Sequence, residues 1–274
     1  MASFQPLAFP RKIVWLARYL GWFRALGICA VKPFDILGRR FTESEWFWRL
    51  TESQFDRRHG VDTYEMVPVA DLGIEGEREQ DAVFYEPTPI MEFGYIISRL
   101  PVSYPDYAFV DMGSGKGRAL LLGSAFPFKK IVGVEISQRL HDIAVTNLER
   151  YQGPRACRDI SAVCDDAGAV ELPSEPLVLF LFNPFEPPVL RAVLNNLHAS
   201  LLENPRPVLL LYGSPIHREV FDNTPWLRPA GTELNGWYLK FEADESALRA
   251  AAIPPIAGNA GSAAEAHGTP AEPA

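Results

Sequence analysis

The chain has 274 residues, 47% of them hydrophobic and 22% charged, enough to fill the core of one α/β domain with appendages. Its 34 acidic residues outnumber 26 basic ones, a formal charge of −8, which argues against a nucleic-acid binder because neutralising phosphates takes a basic face. The three cysteines, Cys29, Cys157 and Cys164, are odd in number and lack metal-ligand spacing, so a reduced, cytoplasmic protein without a metal is expected.

Residues 1–40 depart from the acidic whole, with seven basic residues against Asp35. The apolar run 11–32, RKIVWLARYLGWFRALGICAVK, is no membrane span. Arg18 and Arg24 interrupt it, and a central Arg costs about 2.5–3.5 kcal/mol. No small-residue cleavage site follows it. Two readings stand: a helix packing its Trp, Phe and Leu residues on the domain, or contact with a membrane surface through the basic N-terminus. Thr42 and Glu45 have capping-box spacing, predicting a helix over 42–60. Residues 61–77 read as loop. In 85–101, two prolines precede an apolar periodic run ended by Pro101, which predicts a proline-entered helix.

Beyond residue 106 the pattern alternates. Strands are predicted over 107–112, 130–137, 159–167, 176–185, 206–214 and 236–243. Helices are predicted over 117–126, 138–152, 188–204 and 218–226. The run PLVLFLFNPF is apolar throughout, as in a strand buried on both faces. Such alternation predicts an α/β fold with a doubly wound, mostly parallel sheet. From residue 243 the chain turns to Ala, Gly, Pro and Glu, which cannot bury enough apolar surface to order. The expected organisation is a helical extension over 1–84, a ligand-binding domain over 85–242 and a disordered tail over 243–274.

The most informative stretch is FVDMGSGKGRALLL, residues 109–122, where a strand runs into Asp111 and then Gly113, Gly115 and Gly117. Glycines past the first strand let a ligand approach the main chain at the switch point of an open sheet. A phosphate loop needs G-x-x-x-x-G-K-[ST], yet Val110 replaces its first glycine and Gly117 its Ser/Thr. A dinucleotide fingerprint needs G-x-G-x-x-G, and Arg118 stands in place of its third glycine. A carboxylate at this mouth suits an ammonium group and would repel a pyrophosphate.

The motif DMGSGKG resembles the first motif of class I S-adenosylmethionine-dependent methyltransferases, whose fold is a seven-stranded Rossmann-like sheet. The resemblance covers about residues 53–241 and implies S-adenosyl-L-methionine as cofactor. It implies that Gly113, Gly115 and Gly117 wrap the methionine end and that Asp111 meets its amino group, directly or through water. Glu135, ending the second strand, would accept from the ribose hydroxyls, a role that a nicotinamide enzyme shares. Asp165 and Asp166, in VCDDAG, are candidates for the adenine amino group, with Asp166 slightly favoured; a solvated acidic turn is the alternative. Asn183-Pro184-Phe185 stands where nitrogen methyltransferases carry N/D-P-P-Y/F, one proline short. There the Asn183 side-chain oxygen and the Pro184 carbonyl would orient an amine while Phe185 packs on the substrate; a plain proline turn is the alternative. The upstream YEPTP looks like the entry loop of seven-strand protein lysine methyltransferases, making Tyr85, Thr88 and Glu86 candidates to close the site. Lys116 and Arg118 would meet the cofactor carboxylate or solvent. FDRRHGVDT, YEPTP, DMGSGKGR, GVEIS and NPF together resemble a bacterial group of this class.

The resemblance implies a methyltransferase acting on nitrogen, a protein lysine or a small molecule being the acceptor. A nicotinamide oxidoreductase and a non-catalytic cofactor-binding adaptor are the competing readings.

Overall fold

The computed structural model describes residues 45–251. The expected elements over 11–32, Thr42 of the capping box, Cys29 and most of the tail fall outside them. Among the described residues no helix is long and apolar enough to cross a membrane.

Helix α1 (Glu45–His59) is followed by an irregular segment and α2 (Ile90–Ile97). Then come β1 (Ala108–Met112), α3 (Arg118–Gly123), β2 (Lys130–Glu135), α4 (Gln138–Arg150), β3 (Ile160–Cys164), β4 (Leu177–Phe182), α5 (Pro187–Glu203) and β5 (Val208–Gly213). The chain closes with α6 (Arg218–Asp222), β6 (Leu227–Glu233), β7 (Tyr238–Ala243) and α7 (Glu245–Ala250). The seven strands form one sheet in the order β3-β2-β1-β4-β5-β7-β6. The first five are parallel, whereas β7 runs antiparallel between β5 and β6. That inserted strand separates the sheet from the six-stranded 3-2-1-4-5-6 order of dinucleotide folds. The fold is the α/β, seven-stranded, Rossmann-like sheet expected of the methyltransferase resemblance.

Local sequence accounts for most elements. Helix α4 begins at Ser137, whose hydroxyl accepts from the Leu140 N–H at 3.2 Å, and buries Leu140, Ala144 and Asn147 on one stripe. Helix α5 starts on Pro187, where the missing N–H costs nothing. Strands β1, β4 and β5 are buried along nearly their whole length between two apolar layers. On one face Phe93 of α2 meets Phe109 and Phe180 edge-on, at 5.8 and 5.4 Å between centroids, with Phe55 of α1 in the same cluster. On the other, α5 seats Leu190, Val193, Leu194 and Leu197.

Two findings depart from the sequence reading. Strand β6 was not anticipated. Its LRPAGTE has no apolar alternation, and Pro229 and Gly231 break its register, which an edge strand tolerates. Residues 245–250, placed in the disordered tail, form α7. The Asp244 carboxylate accepts from the N–H groups of Ser246 and Ala247, and Leu248 is buried against the α5 layer.

Candidate active site

Three ends of parallel strands meet at the site: β1 gives way to the glycine turn, β2 to Glu135, and β4 to Asn183. Successive residues of a strand face opposite ways. Phe109 therefore places Asp111 on the α2 face, as Phe180 places Phe182 there. All three glycines have positive φ, at 81°, 52° and 83°. A Cβ on Gly113 would overlap Pro184, and one on Gly115 would overlap the Tyr85 ring. Gly117 instead lies against Ala144 of α4, so it serves helix packing.

Asp111 is 4% exposed, and among the described residues nothing donates a hydrogen bond to its carboxylate. Burial, with the neighbouring Glu135 as a smaller cause, pushes its carboxyl up to about 8. Glu135 is tied by the main chain: it accepts from the Gly115 and Ser137 N–H groups, each at 2.8 Å. Burial still raises its carboxyl, against those hydrogen bonds. A carboxylate has about four lone-pair sites, so Glu135 keeps capacity for two more donors.

A cleft of about 600 Å³ opens here, lined by Gly113, Gly115, Glu135, Phe182, Asn183, Pro184, Phe185, Tyr85, Glu86 and Phe84, among others. A second of about 470 Å³ adjoins it, where Asp165 and Asp166 face Arg78, Asp81 and Val189. Ala82 and Phe185 line both and form an isolated antiparallel bridge between them. Asn183 adopts a left-handed backbone, φ 43°, and its side-chain oxygen is buried with no partner among the described residues. For a residue other than glycine, such a conformation costs on the order of 1 kcal/mol and concentrates at functional sites.

The segment 67–86 straps across the strand ends. Its main chain bridges Val67 to Tyr85. Ser137 donates to the Leu72 carbonyl at 2.5 Å, Arg139 to that of Asp71 at 2.6 Å, and Arg78 pairs with Asp166 at 3.2 Å. Asp166 also accepts from the Gly168 N–H, so it is a turn-former as well as a wall of the second cleft.

The sequence candidates sort as follows. Gly113, Gly115, Glu135, Asn183, Pro184, Phe185, Tyr85 and Glu86 meet in the first cleft, and Asp165 and Asp166 in the second. Asp111 sits behind the turn. Thr88 is buried and lines neither cleft. Tyr85 packs its ring on Gly115 and donates its hydroxyl to the Thr63 carbonyl at 2.8 Å. Lys116 and Arg118 turn away from the clefts. Lys116 pairs with Asp62 at 2.9 Å. Arg118, 1% exposed, binds Glu52, Asp56 and the Thr63 hydroxyl, locking α1 to the glycine turn. Burial outweighs the pull of Arg118 and pushes the Glu52 carboxyl up. Sequence reasoning missed Glu52, Asp56 and Arg78, whose ion-pair partners lie 62 to 88 positions away along the chain.

No protein-family model matches the chain, and no curated protein matches it. Solved structures similar to it include YcgJ from Bacillus subtilis, at 13% identity and a TM-score of 0.35, covering 47% of this chain and 54% of that one. A ribosomal protein L11 methylase from Lactobacillus delbrueckii subsp. bulgaricus is 15% identical, with a TM-score of 0.40 over 56% of this chain and 76% of that one. An RNA methyltransferase from Salinibacter ruber, solved with S-adenosyl-L-homocysteine, is 20% identical, with a TM-score of 0.39 over 63% and 97%. This chain thus spans about half the length of YcgJ. At these values each likeness is one of chain path alone.

Proposed function

We propose that this chain is an S-adenosylmethionine-dependent methyltransferase acting on a nitrogen acceptor, a protein lysine being one such group. The observation that carries the reading is Asp111: a buried carboxylate, lacking any donor among the described residues, directly behind a turn of positive-φ glycines. Such a carboxyl, protonated while alone, gives up its proton when a cationic partner faces it. The ammonium of a methionine moiety lying against Gly113 supplies one, whereas a pyrophosphate would face two carboxylates and no cation in the first cleft.

Other residues fit the remaining parts of the cofactor. Glu135 retains lone pairs for ribose hydroxyls, and Asp165 or Asp166 can accept from an adenine amine in the second cleft. When bound, the cofactor supplies an electrophilic methyl on a positive sulfur. The chain's part is alignment: the Asn183 oxygen and the Pro184 carbonyl accept N–H bonds from the acceptor and turn its lone pair toward the turn. The Tyr85 ring on Gly115 and the 67–86 strap keep water out. A cytoplasmic setting, and membrane contact through residues 1–40, remain part of this proposal; liposome flotation with and without those residues tests the second.

Titration calorimetry with S-adenosylhomocysteine and with NAD tests the whole. Binding of the first without the second is expected; NAD binding without S-adenosylhomocysteine binding overturns the reading.

A further inference from the structure

The run FDRRHGVDT, residues 55–63, lines neither cleft. Its polar groups converge on one residue, Thr63. Asp56, on α1, accepts the N–H groups of Thr63 and Tyr64 on one carboxylate oxygen, at 2.5 and 2.7 Å, and the Thr63 hydroxyl on the other, at 2.6 Å. That hydroxyl accepts in turn from Arg118 Nε at 2.7 Å. The Thr63 carbonyl accepts from the Tyr85 hydroxyl at 2.8 Å. Thr63 is fully buried, and every polar group it has is committed: the N–H and hydroxyl to Asp56, the carbonyl to Tyr85.

The far end of this chain of bonds is a wall of the first cleft. The Tyr85 ring lies so close to Gly115 that a Cβ there would come within 2.2 Å of it. Gly115 gives its own N–H to Glu135 at 2.8 Å. The Tyr85 main chain is held separately, by hydrogen bonds to Val67 at 2.9 and 3.1 Å, so its hydroxyl decides only where the ring points. Burial holds that hydroxyl's proton well above the ordinary range, which keeps it a donor. Asp62, in the same run, pairs at 2.9 Å with Lys116, whose ammonium stands 5.7 Å from the Tyr85 ring centroid.

We propose that Asp56 and Thr63 are positioning residues of the cofactor site: acting through Tyr85, they hold its ring on Gly115 and so fix the turn against which the methionine end of the cofactor lies. This rests on the methyltransferase reading and goes beyond it, because it makes cofactor affinity depend on residues that never touch the cofactor. Gly115, at φ 52° and without a side chain, has access to more backbone states than any other residue type would. A ring packed on it and anchored at its hydroxyl removes those states before the cofactor arrives, so less freedom is lost on binding. Without the anchor the ring turns about its own side-chain torsions. The competent site is then populated only part of the time, and the apparent affinity falls by that fraction.

The test is a double-variant cycle on the full chain, read by titration calorimetry with S-adenosylhomocysteine. Tyr85→Phe keeps the ring and the main chain and removes only the anchor; Asp56→Asn loosens Thr63. Each is expected to weaken binding by about fivefold or more, the effect of one lost hydrogen bond. The double variant is expected to bind no worse than the weaker single one, since both remove the same link. Labelling with fluorotyrosine gives a second readout. The fluorine resonance missing from Tyr85→Phe reports the Tyr85 ring, and it is expected to move in Asp56→Asn, which a role in stability alone would not cause. Where Asp56→Asn does not fold, Thr63→Val, which removes the hydroxyl and keeps the shape, takes its place. Unchanged affinity in Tyr85→Phe, losses that multiply in the double variant, or an unmoved Tyr85 resonance overturns the inference. Failure of the unaltered protein to bind S-adenosylhomocysteine overturns the methyltransferase reading instead.

Discussion

Replacing Asp111 by Asn should move stability and cofactor affinity in opposite directions. The Asp111 carboxyl, ordinarily near 3.8, stands at about 8 in the folded chain because burial disfavours its charged form. The folded state therefore holds a proton that the unfolded chain has released. Stability falls as pH rises from about 4 and levels off above about 8, since the unfolded state binds fewer protons throughout that window. At about 1.36 kcal/mol per pH unit, the penalty at pH 7 is on the order of 4 kcal/mol. Asn carries no such penalty, and its amide is as unpartnered as the protonated acid. Urea denaturation between pH 5 and 8 should show the variant gaining on the unaltered protein as pH rises, by several kcal/mol at the upper end. The same variant lacks the anion for the cofactor's ammonium. A charge-assisted hydrogen bond contributes about 1.5–3 kcal/mol, so S-adenosylhomocysteine affinity should drop roughly 10- to 150-fold. In the unaltered protein, binding at pH 7 should release a proton, visible as a buffer-dependent heat. Parallel pH–stability curves for the two proteins, or undiminished affinity in the variant, would refute the electrostatic account of Asp111.

Arg118→Met should destabilise the fold by about 3–5 kcal/mol, because it strands the buried Glu52 without its partner; adding Glu52→Gln should recover much of the loss, measured by chemical denaturation. Gly115→Ala should lower the melting temperature and abolish S-adenosylhomocysteine binding, since φ is 52° and the methyl would drive the Tyr85 ring off the turn. Asn183→Ala should keep S-adenosylhomocysteine affinity while methyl transfer from labelled donor drops at least tenfold; unchanged turnover would remove Asn183 from the acceptor site. Asp244→Ala should uncap α7, seen as a small fall in denaturation midpoint.

Much of the site was legible because its chemistry is local. Gly113 and Gly115 sit at positions where a side chain cannot fit, and Asp111, Glu135 and Asn183 end strands whose apolar runs announce them. Period and punctuation are properties of neighbours along the chain, so they survive without the fold. Strand β6 was illegible because an edge strand beside β7 needs no apolar alternation, and α7 because a cap and one buried leucine order it. Thr88 reads like its neighbour Tyr85 in sequence, yet the turn into α2 buries it away from both clefts.

The sequence by itself determined the alternation of strands and helices, the bare turn and the acids at the strand ends, because each depends on residues a few positions apart. Only the tertiary structure decided that Arg118 belongs to α1 rather than to the cleft. It likewise decided that the 67–86 strap roofs the site, and that the Asn183 oxygen is buried without a donor. Those relations join residues tens of positions apart, and burial, which sets their energies, exists only once the chain has closed on itself.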